Sequence, residues 1–162
     1  MLLRRLCFLL IAFAVSVSAV KAQDKGLNNV LTAYFTLKND LVADNAITAG
    51  THAAELSALT KAVSADKIPA EQQAGWKKIQ LSASRIAEAK DIDRQREYFA
   101  VLSKNLIDAA KALKINTAPI YLQYCPMKKV SWLSEAAPIK NPFYGKQMLT
   151  CGQVTETLAA VK

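Results

Sequence analysis

Two cysteine–methionine pairs near the end of the chain carry the residue types best suited to chemistry. Cys125 and Met127 flank Pro126, and Met148 precedes Cys151 by three residues, a spacing that places both on one face of a helical turn. Two thiolates and two thioethers form a soft ligand set, which selects Cu(I) and similar ions such as Ag(I). The spacing therefore indicates a soft-metal site at these two cysteines and two methionines.

The same cysteines also permit an ordinary disulfide. Cys7 lies in an N-terminal segment that we expect to be removed, so Cys125 and Cys151 are the two thiols of the expected mature chain. Two cysteines in an oxidising compartment commonly form a bridge, and closing a loop of about 27 residues would contribute roughly 3–4 kcal/mol. Methionines among aromatic residues commonly fill gaps in a core. Both interpretations stay open on this evidence.

Other residues of the chain have less direct roles. His52 is a possible additional ligand, although a histidine on an apolar helical face is usually a boundary residue. Trp132 is expected to anchor the tail on the rest of the fold, and Gly145 to permit a tight turn. The residues assigned to the structure of the motif are Pro126, Trp132, Asn141, Pro142, Gly145 and Gly152.

The composition argues against an enzyme. The chain has one histidine and five glycines, and it shows no nucleophile–base pattern, no glycine-rich phosphate loop and no carboxylate–histidine cluster. A zinc enzyme would need several histidine or acidic ligands at suitable spacings. We therefore expect a binding protein, not a catalyst.

The N-terminus has the layout of a secretory signal peptide. Arg4 and Arg5 precede an apolar run at residues 6–15, and a small-residue site ends at Ala22. The run is shorter than the roughly 20 apolar residues that cross a bilayer. We expect cleavage of residues 1–22 and a mature periplasmic protein with no membrane span.

The charge of the chain does not indicate nucleic-acid binding. The formal net charge is +8, and three of the positive charges lie within the expected signal peptide. The other lysines and arginines are scattered among acidic residues along the chain, which is typical of a solvated surface.

Residues 23–114 are predicted to form a helical bundle. Apolar residues recur every three or four positions in four stretches. Breaks fall at Asp44-Asn45, at Lys67-Ile68-Pro69 and at Asp91-Ile92-Asp93. The short connections favour an all-α, up-down antiparallel four-helix bundle. The apolar stretches are Leu27, Val30, Leu31, Tyr34, Leu37 and Leu41; Ala49, His52, Ala53, Leu56, Leu59 and Val63; Trp76, Ile79, Ala83 and Ile86; and Ile92, Phe99, Leu102, Leu106, Ala109 and Leu113.

Residues 115–162 have a different character. Four prolines fall between residues 119 and 142, and the helical period is lost. The segment is rich in aromatic residues, which must be buried, so it is unlike a flexible linker. We expect an irregular C-terminal segment that packs on the bundle within the same domain.

The sequence resembles an uncharacterised exported family of Bacteroidota, domain of unknown function 3347. The likeness is carried by Cys125-Pro126-Met127, by Trp132-Leu133-Ser134, by Asn141-Pro142-Phe143-Tyr144-Gly145 and by Met148-Leu149-Thr150-Cys151-Gly152. The helices are similar too, with Tyr34 to Leu41 in a Tyr-x-x-Leu-Lys-x-x-Leu frame. Members occur alone or attached to adaptor proteins of copper, silver and other heavy-metal efflux systems.

This resemblance implies metal handling. It places the family's Cys-Pro-Met on Cys125 to Met127 and its Met-Leu-x-Cys-Gly on Met148 to Gly152. Many members have histidine before the first cysteine, where this chain has Tyr124, so a site here would depend on sulfur alone. The expectation is a periplasmic protein that buffers Cu(I) or delivers it to an efflux adaptor. The alternative is a structural or interaction module clamped by a Cys125–Cys151 disulfide.

Overall fold

The computed structural model describes residues 25–161, so the expected signal peptide lies outside the described part. Four helices are followed by three strands. The helices are α1 (Lys25–Val42), α2 (Ala46–Ala62), α3 (Ala70–Glu88) and α4 (Ile92–Leu113), and the strands are β1 (Ile120–Cys125), β2 (Val130–Ser134) and β3 (Gln153–Leu158). Short 3-10 turns lie at Ala65–Lys67 and Gly145–Met148.

The helices begin and end where the side chains can cap them. The Asn45 side chain accepts a hydrogen bond from the Thr48 N–H at the start of α2. Asp91 does the same for Arg94 at the start of α4, and α4 ends at Lys114 in the left-handed conformation. Such caps satisfy backbone groups that a helix end leaves unpaired. The prediction of four helices is confirmed.

Side-chain hydrogen bonds between the helices show how consecutive helices are arranged. Trp76 near the start of α3 donates from Nε1 to the Thr60 carbonyl near the end of α2, at 3.1 Å. Gln95 near the start of α4 donates from Nε2 to the carbonyls of Ala89, after α3, and of Ala46, at the start of α2. These contacts are those of consecutive antiparallel helices, and each helix packs mainly on its neighbour in sequence.

The tail is not irregular, so the strictly all-α prediction is wrong there. The three strands form an antiparallel sheet in the order β2-β1-β3. The turn at residues 126–129 joins β1 to β2, and a longer loop leads from β2 to β3. The chain is therefore mostly helical with a small C-terminal sheet. The prolines that suggested irregular structure lie in the connections and not within strands, where they would remove ladder hydrogen bonds.

Strand β2 lies against the bundle. The Leu133 N–H donates to the buried Tyr34 hydroxyl of α1 at 3.2 Å, and that hydroxyl also bonds Ser103 Oγ of α4 at 2.8 Å. Lys38 of α1 is buried and contacts Glu135 just after β2, at 2.7 Å. An edge strand with its polar groups bonded to a neighbouring element is protected from pairing with other chains.

Aromatic rings fill the space between the sheet and the bundle. Phe143, in the loop before β3, lies between Trp132 of β2 and Phe99 of α4, with ring centroids 6.0 and 5.6 Å away. Phe99 in turn stacks on Tyr34 at 5.2 Å. Trp132 is 0% exposed, so its ring attaches the tail to the helices as one core. Within residues 25–161, none of the helices is both long and apolar enough for a membrane span.

We expect Trp132→Ala to lower the free energy of unfolding by roughly 3–5 kcal/mol, because it removes a fully buried ring and leaves a cavity. Urea unfolding followed by far-UV circular dichroism measures the change. Val101→Ala on α4, at a side chain that is 46% exposed, is the control and should change stability little. A loss below about 0.5 kcal/mol in the Trp132 variant would show that the tail is a loose appendage.

Candidate thiol site

Cys125 and Cys151 come together just beyond the end of the β1–β3 ladder. Cys125 is the last residue of β1 and is 0% exposed, whereas Cys151 precedes β3 by two residues and is partly exposed. Their Sγ atoms are 3.4 Å apart, and both cysteines are free. A disulfide bond is about 2.05 Å long, so the structure holds a close pair of reduced thiols.

The hairpin turn after β1 folds back over the two sulfur atoms. Lys129, in the left-handed conformation with φ 56°, donates its N–H to the Cys125 carbonyl at 2.8 Å and closes the turn. The Met127 N–H lowers the pKa of both thiols, and the Lys128 N–H lowers the pKa of Cys125. Pro126 is exposed within this turn. Backbone donors therefore surround Cys125 in a way that favours negative charge on sulfur.

Asn141 connects the two sides of the site. Its Nδ2 donates to the Cys151 carbonyl at 2.7 Å, and the same side chain lowers the pKa of the Cys125 thiol. Its Oδ1 accepts the Phe143 N–H at 2.8 Å, and its backbone N–H donates to the Leu149 carbonyl, also at 2.8 Å. A buried amide with all these partners holds the loop in one conformation.

Gly152 lets the chain pass close to Trp132. Its φ is 149°, a conformation that residues with a side chain rarely adopt, and a Cβ there would lie 3.0 Å from the Trp132 ring and from the Tyr124 carbonyl. The residue after Cys151 must therefore be small for the Cys151 backbone to reach Cys125.

A charged cluster fixes the loop at its other end. The buried Arg96 of α4 donates to the Pro142 carbonyl at 2.9 Å, to the Leu41 carbonyl at 3.0 Å and to the Asp44 carboxylate at 2.5 Å. Asp44 also accepts the Lys146 N–H at 3.0 Å. Gly145, with φ 55°, lies against Asp44 and Arg96 with no room for a Cβ. The cluster thus joins α1, α4 and the loop that carries Asn141.

The two thiols differ electrostatically. Burial raises the pKa of the Cys125 thiol, but the hydrogen bonds from Lys128 N–H, Cys151, Asn141 and Met127 N–H outweigh it, so the pKa lies below its usual value. The hydrogen bond to Cys125, together with burial and the charge on Cys125, raises the pKa of Cys151. The pair is therefore suited to holding one proton between two sulfurs, with the negative charge mainly on Cys125.

The two methionines lie at the surface beside the thiols. Met127 is 64% exposed and Met148 is 37% exposed, so neither fills a gap in the core. The Met127 N–H lowers the pKa of both thiols, and the Met148 carbonyl accepts the Cys151 N–H at 3.1 Å. Both thioethers are thus carried by residues whose main chains adjoin the cysteines.

His52 lies elsewhere in the fold. It belongs to α2, and its Nδ1 is 2.5 Å from the Asp40 carboxylate of α1. In the described part of the chain, no three histidine, cysteine, aspartate or glutamate residues form a group that could hold a metal ion. His52 therefore does not join the two cysteines, and within the described residues no carboxylate joins them either.

The sulfur separation tests which metal geometry the pair fits. With metal–sulfur bonds of about 2.3 Å, two sulfurs lie about 3.8 Å apart at a tetrahedral angle and about 4.6 Å apart in a linear arrangement. The observed 3.4 Å is close to the first distance and far from the second. The pair therefore fits a bent arrangement, which leaves room for a further ligand such as a thioether.

Comparison with known proteins gives a family match over part of the chain. Residues 30–118 match the model of a family described as a protein of unknown function, DUF3347. The matched region covers most of the helical bundle and ends two residues before β1, so it does not include the Cys125–Cys151 site. No curated protein and no solved structure gives a significant match.

Sequence analysis did not identify the residues that hold the thiol site in place: the amide of Asn141, and the ion pair of Arg96 with Asp44. Asn141 was assigned only to the structure of the motif, although its amide bonds the Cys151 carbonyl and lowers the pKa of the Cys125 thiol. Arg96 carried no signal, because charged residues on helices commonly face solvent, and Asp44 was interpreted only as part of the break between the first two helices. The glycine at Gly145 indicated a tight turn, but its partner across the fold could not be found without the structure.

We expect the Asp44 cluster to make stability depend on pH. The Lys146 N–H and the Arg96 guanidinium hold the pKa of the Asp44 carboxyl below its usual value. A carboxyl whose pKa is depressed by folding stabilises the fold above its unfolded pKa of about 3.9, and that contribution disappears as pH falls through the folded value. The wild type should therefore be more stable than Asp44→Asn at neutral pH and should lose this advantage below about pH 4.

Urea unfolding of both proteins between pH 7 and pH 3 measures this difference. Asp108→Asn is the control, since Asp108 makes an exposed contact with Lys104 on the surface of α4. A difference between the wild type and Asp44→Asn that stays constant with pH would contradict the role of the Asp44 charge.

Proposed function

This chain belongs to the DUF3347 family of proteins of unknown function, and we propose that this member binds a soft monovalent metal ion, Cu(I) or Ag(I), between Cys125 and Cys151. The proposal includes Met127 and Met148 as thioether ligands. It assigns no catalytic role to the chain.

The separation of the two reduced thiols is the observation that carries this proposal. Two free Sγ atoms 3.4 Å apart need to open by only a few tenths of an ångström to bind one ion in a bent arrangement. The backbone donors around Cys125 support the thiolate form, which is the form that binds metal. Within the described residues no carboxylate or imidazole joins the two cysteines in a metal-binding group, and the sulfur donors favour Cu(I) and Ag(I) over Mg²⁺ or Ca²⁺.

The exposed methionines would complete the coordination. A bent pair of thiolates leaves open positions on the metal, and Met127 and Met148 are solvent-exposed thioethers on the segments that carry the cysteines. Their exposure would also let a metal ion pass between this protein and a partner without unfolding the buried half of the site.

The expected location and partner fit this activity. The N-terminal sequence favours export to the periplasm, and the resemblance of the tail motif implies an association with heavy-metal efflux. We propose that the protein buffers Cu(I) in the periplasm or delivers it to an efflux adaptor. The metal site lies in the tail, so the helical bundle would serve as its scaffold.

A second candidate function is a structural or interaction module held by a Cys125–Cys151 disulfide. The observation that favours it is the same short distance, since the sulfurs need to approach by only about 1.4 Å to form a bond. In that case the bridge would clamp the loop before β3 to the end of β1, and the exposed methionines would belong to a docking surface.

A Cu(I) titration against a competing chromogenic chelator distinguishes the two functions. Fully reduced wild-type protein should remove one equivalent of Cu(I) from the chelator, and Cys125→Ser or Cys151→Ser should lose this ability. The double variant Met127→Leu/Met148→Leu should bind at least about tenfold more weakly, equivalent to a loss of roughly 1.4 kcal/mol.

The control for the methionine variant is Leu149→Ala, because Leu149 is 37% exposed, like Met148, but offers no sulfur. It should bind Cu(I) as the wild type does. Equal affinity of the wild type and the double methionine variant would remove the thioethers from the site. Absence of Cu(I) binding by the fully reduced wild type would leave the disulfide module as the function.

A further inference from the structure

We infer that Cys125 and Cys151 form a thiol–disulfide exchange site in which Cys151 reacts with small external disulfides and Cys125 resolves the product. The inference goes beyond metal binding and needs no bound ion. The substrate class is a low-molecular-weight disulfide such as oxidised glutathione, and the product on the protein is an intramolecular Cys125–Cys151 disulfide.

Unequal exposure gives the two thiols separate tasks. Cys125 is 0% exposed and lies beneath the turn at residues 126–129, so an external disulfide has no path to its sulfur. Cys151 is partly exposed in the loop that enters β3. Because exchange requires direct contact between the attacking sulfur and the disulfide, Cys151 is the residue that meets the external reactant.

The distance between the sulfurs favours the second step. The Cys125 Sγ lies 3.4 Å from the Cys151 Sγ, within the range at which reacting atoms are positioned for attack. Asn141 holds the Cys151 segment in place through its side-chain bond to the Cys151 carbonyl and its backbone bond to the Leu149 carbonyl. A mixed disulfide on Cys151 would therefore be attacked by Cys125 before a second external thiol arrives.

The chemistry balances with the external disulfide as the oxidant. Cys151 passes its proton to the Cys125 thiolate 3.4 Å away, and the resulting Cys151 thiolate attacks one sulfur of R–S–S–R, forms Cys151–S–S–R and releases the first R–S⁻, which takes the proton from Cys125. The Cys125 thiolate then attacks the Cys151 sulfur, which breaks the bond to the second R–S⁻ and forms the Cys125–Cys151 bond. Two protein thiols are oxidised, one external disulfide is reduced to two thiols, and the protons of the cysteines pass to the released R–S⁻ groups.

Exchange and metal binding would exclude each other at this pair. A Cys125–Cys151 disulfide has no thiolate left to bind a soft metal ion, whereas an ion held between the two sulfurs would block access to both. The redox state of the external disulfide pool would thus decide how much of the protein can bind metal.

The test uses oxidised glutathione and the reduced full chain in a Cys7→Ser background, so that only the two site thiols react. Mass spectrometry follows the adducts. The wild type should reach an intramolecular disulfide and release two glutathione thiols per chain, with no lasting adduct. Cys125→Ser should keep one glutathione on Cys151, and Cys151→Ser should form an adduct at least about tenfold more slowly, because its remaining thiol is buried.

A second measurement does not depend on the variants folding normally. Rapid acid quenching of the wild-type reaction, followed by peptide mapping, should locate the transient mixed disulfide on Cys151. An adduct found mainly on Cys125, or equal reaction rates of the two single variants, would overturn the inference.

Silver ions separate this inference from the proposed metal function. One equivalent of Ag(I) should slow the exchange of the wild type if the metal site exists. If Ag(I) has no effect while the adduct still forms on Cys151, the metal proposal fails and the exchange site stands. If Ag(I) binds but the adduct forms on Cys125, the exchange inference fails alone.

Discussion

The packing of Phe143 between Trp132 and Phe99 is the contact on which the rest of the tail depends. The ring distances of 6.0 and 5.6 Å place a loop residue in the core formed by β2 and α4. Burying these large rings provides much of the free energy that attaches the sheet to the helices. It also sets the position of the neighbouring Asn141, and through Asn141 the separation of the two cysteines.

Around this apolar contact, polar groups determine the geometry of the thiol site. Arg96 and Asp44 fix one end of the loop, while backbone N–H groups of the turn after β1 surround the Cys125 sulfur. The result is an asymmetric pair, with one thiol buried and its partner partly exposed. A rigid core that holds one buried and one partly exposed sulfur atom side by side would suit both metal binding and thiol exchange, which need preorganised sulfur atoms.

The helical part of the fold could be predicted because its periodic apolar residues and its caps agree, as at Asn45 and Asp91. The sheet was missed because its strands lack a clean alternation: β1 is partly buried on both faces, and β3 is exposed along nearly its whole length. The run Val154 to Thr157, rich in β-branched residues, was the available signal for a strand. The pairing of Cys125 with Cys151 was expected from the motif, but the roles of Asn141 and Arg96 depend on contacts distant in sequence, which one sequence does not reveal.

The central claim is that the two cysteines and the exposed methionines form one sulfur site for a soft metal ion. X-ray absorption at the copper edge of protein loaded with one equivalent of Cu(I) tests it most directly. The account predicts a shell of three or more sulfur atoms, with the thiolate sulfurs at about 2.3 Å by analogy with zinc–thiolate bonds. A shell dominated by nitrogen or oxygen atoms, or one that is unchanged in Cys125→Ser and Cys151→Ser, would contradict it.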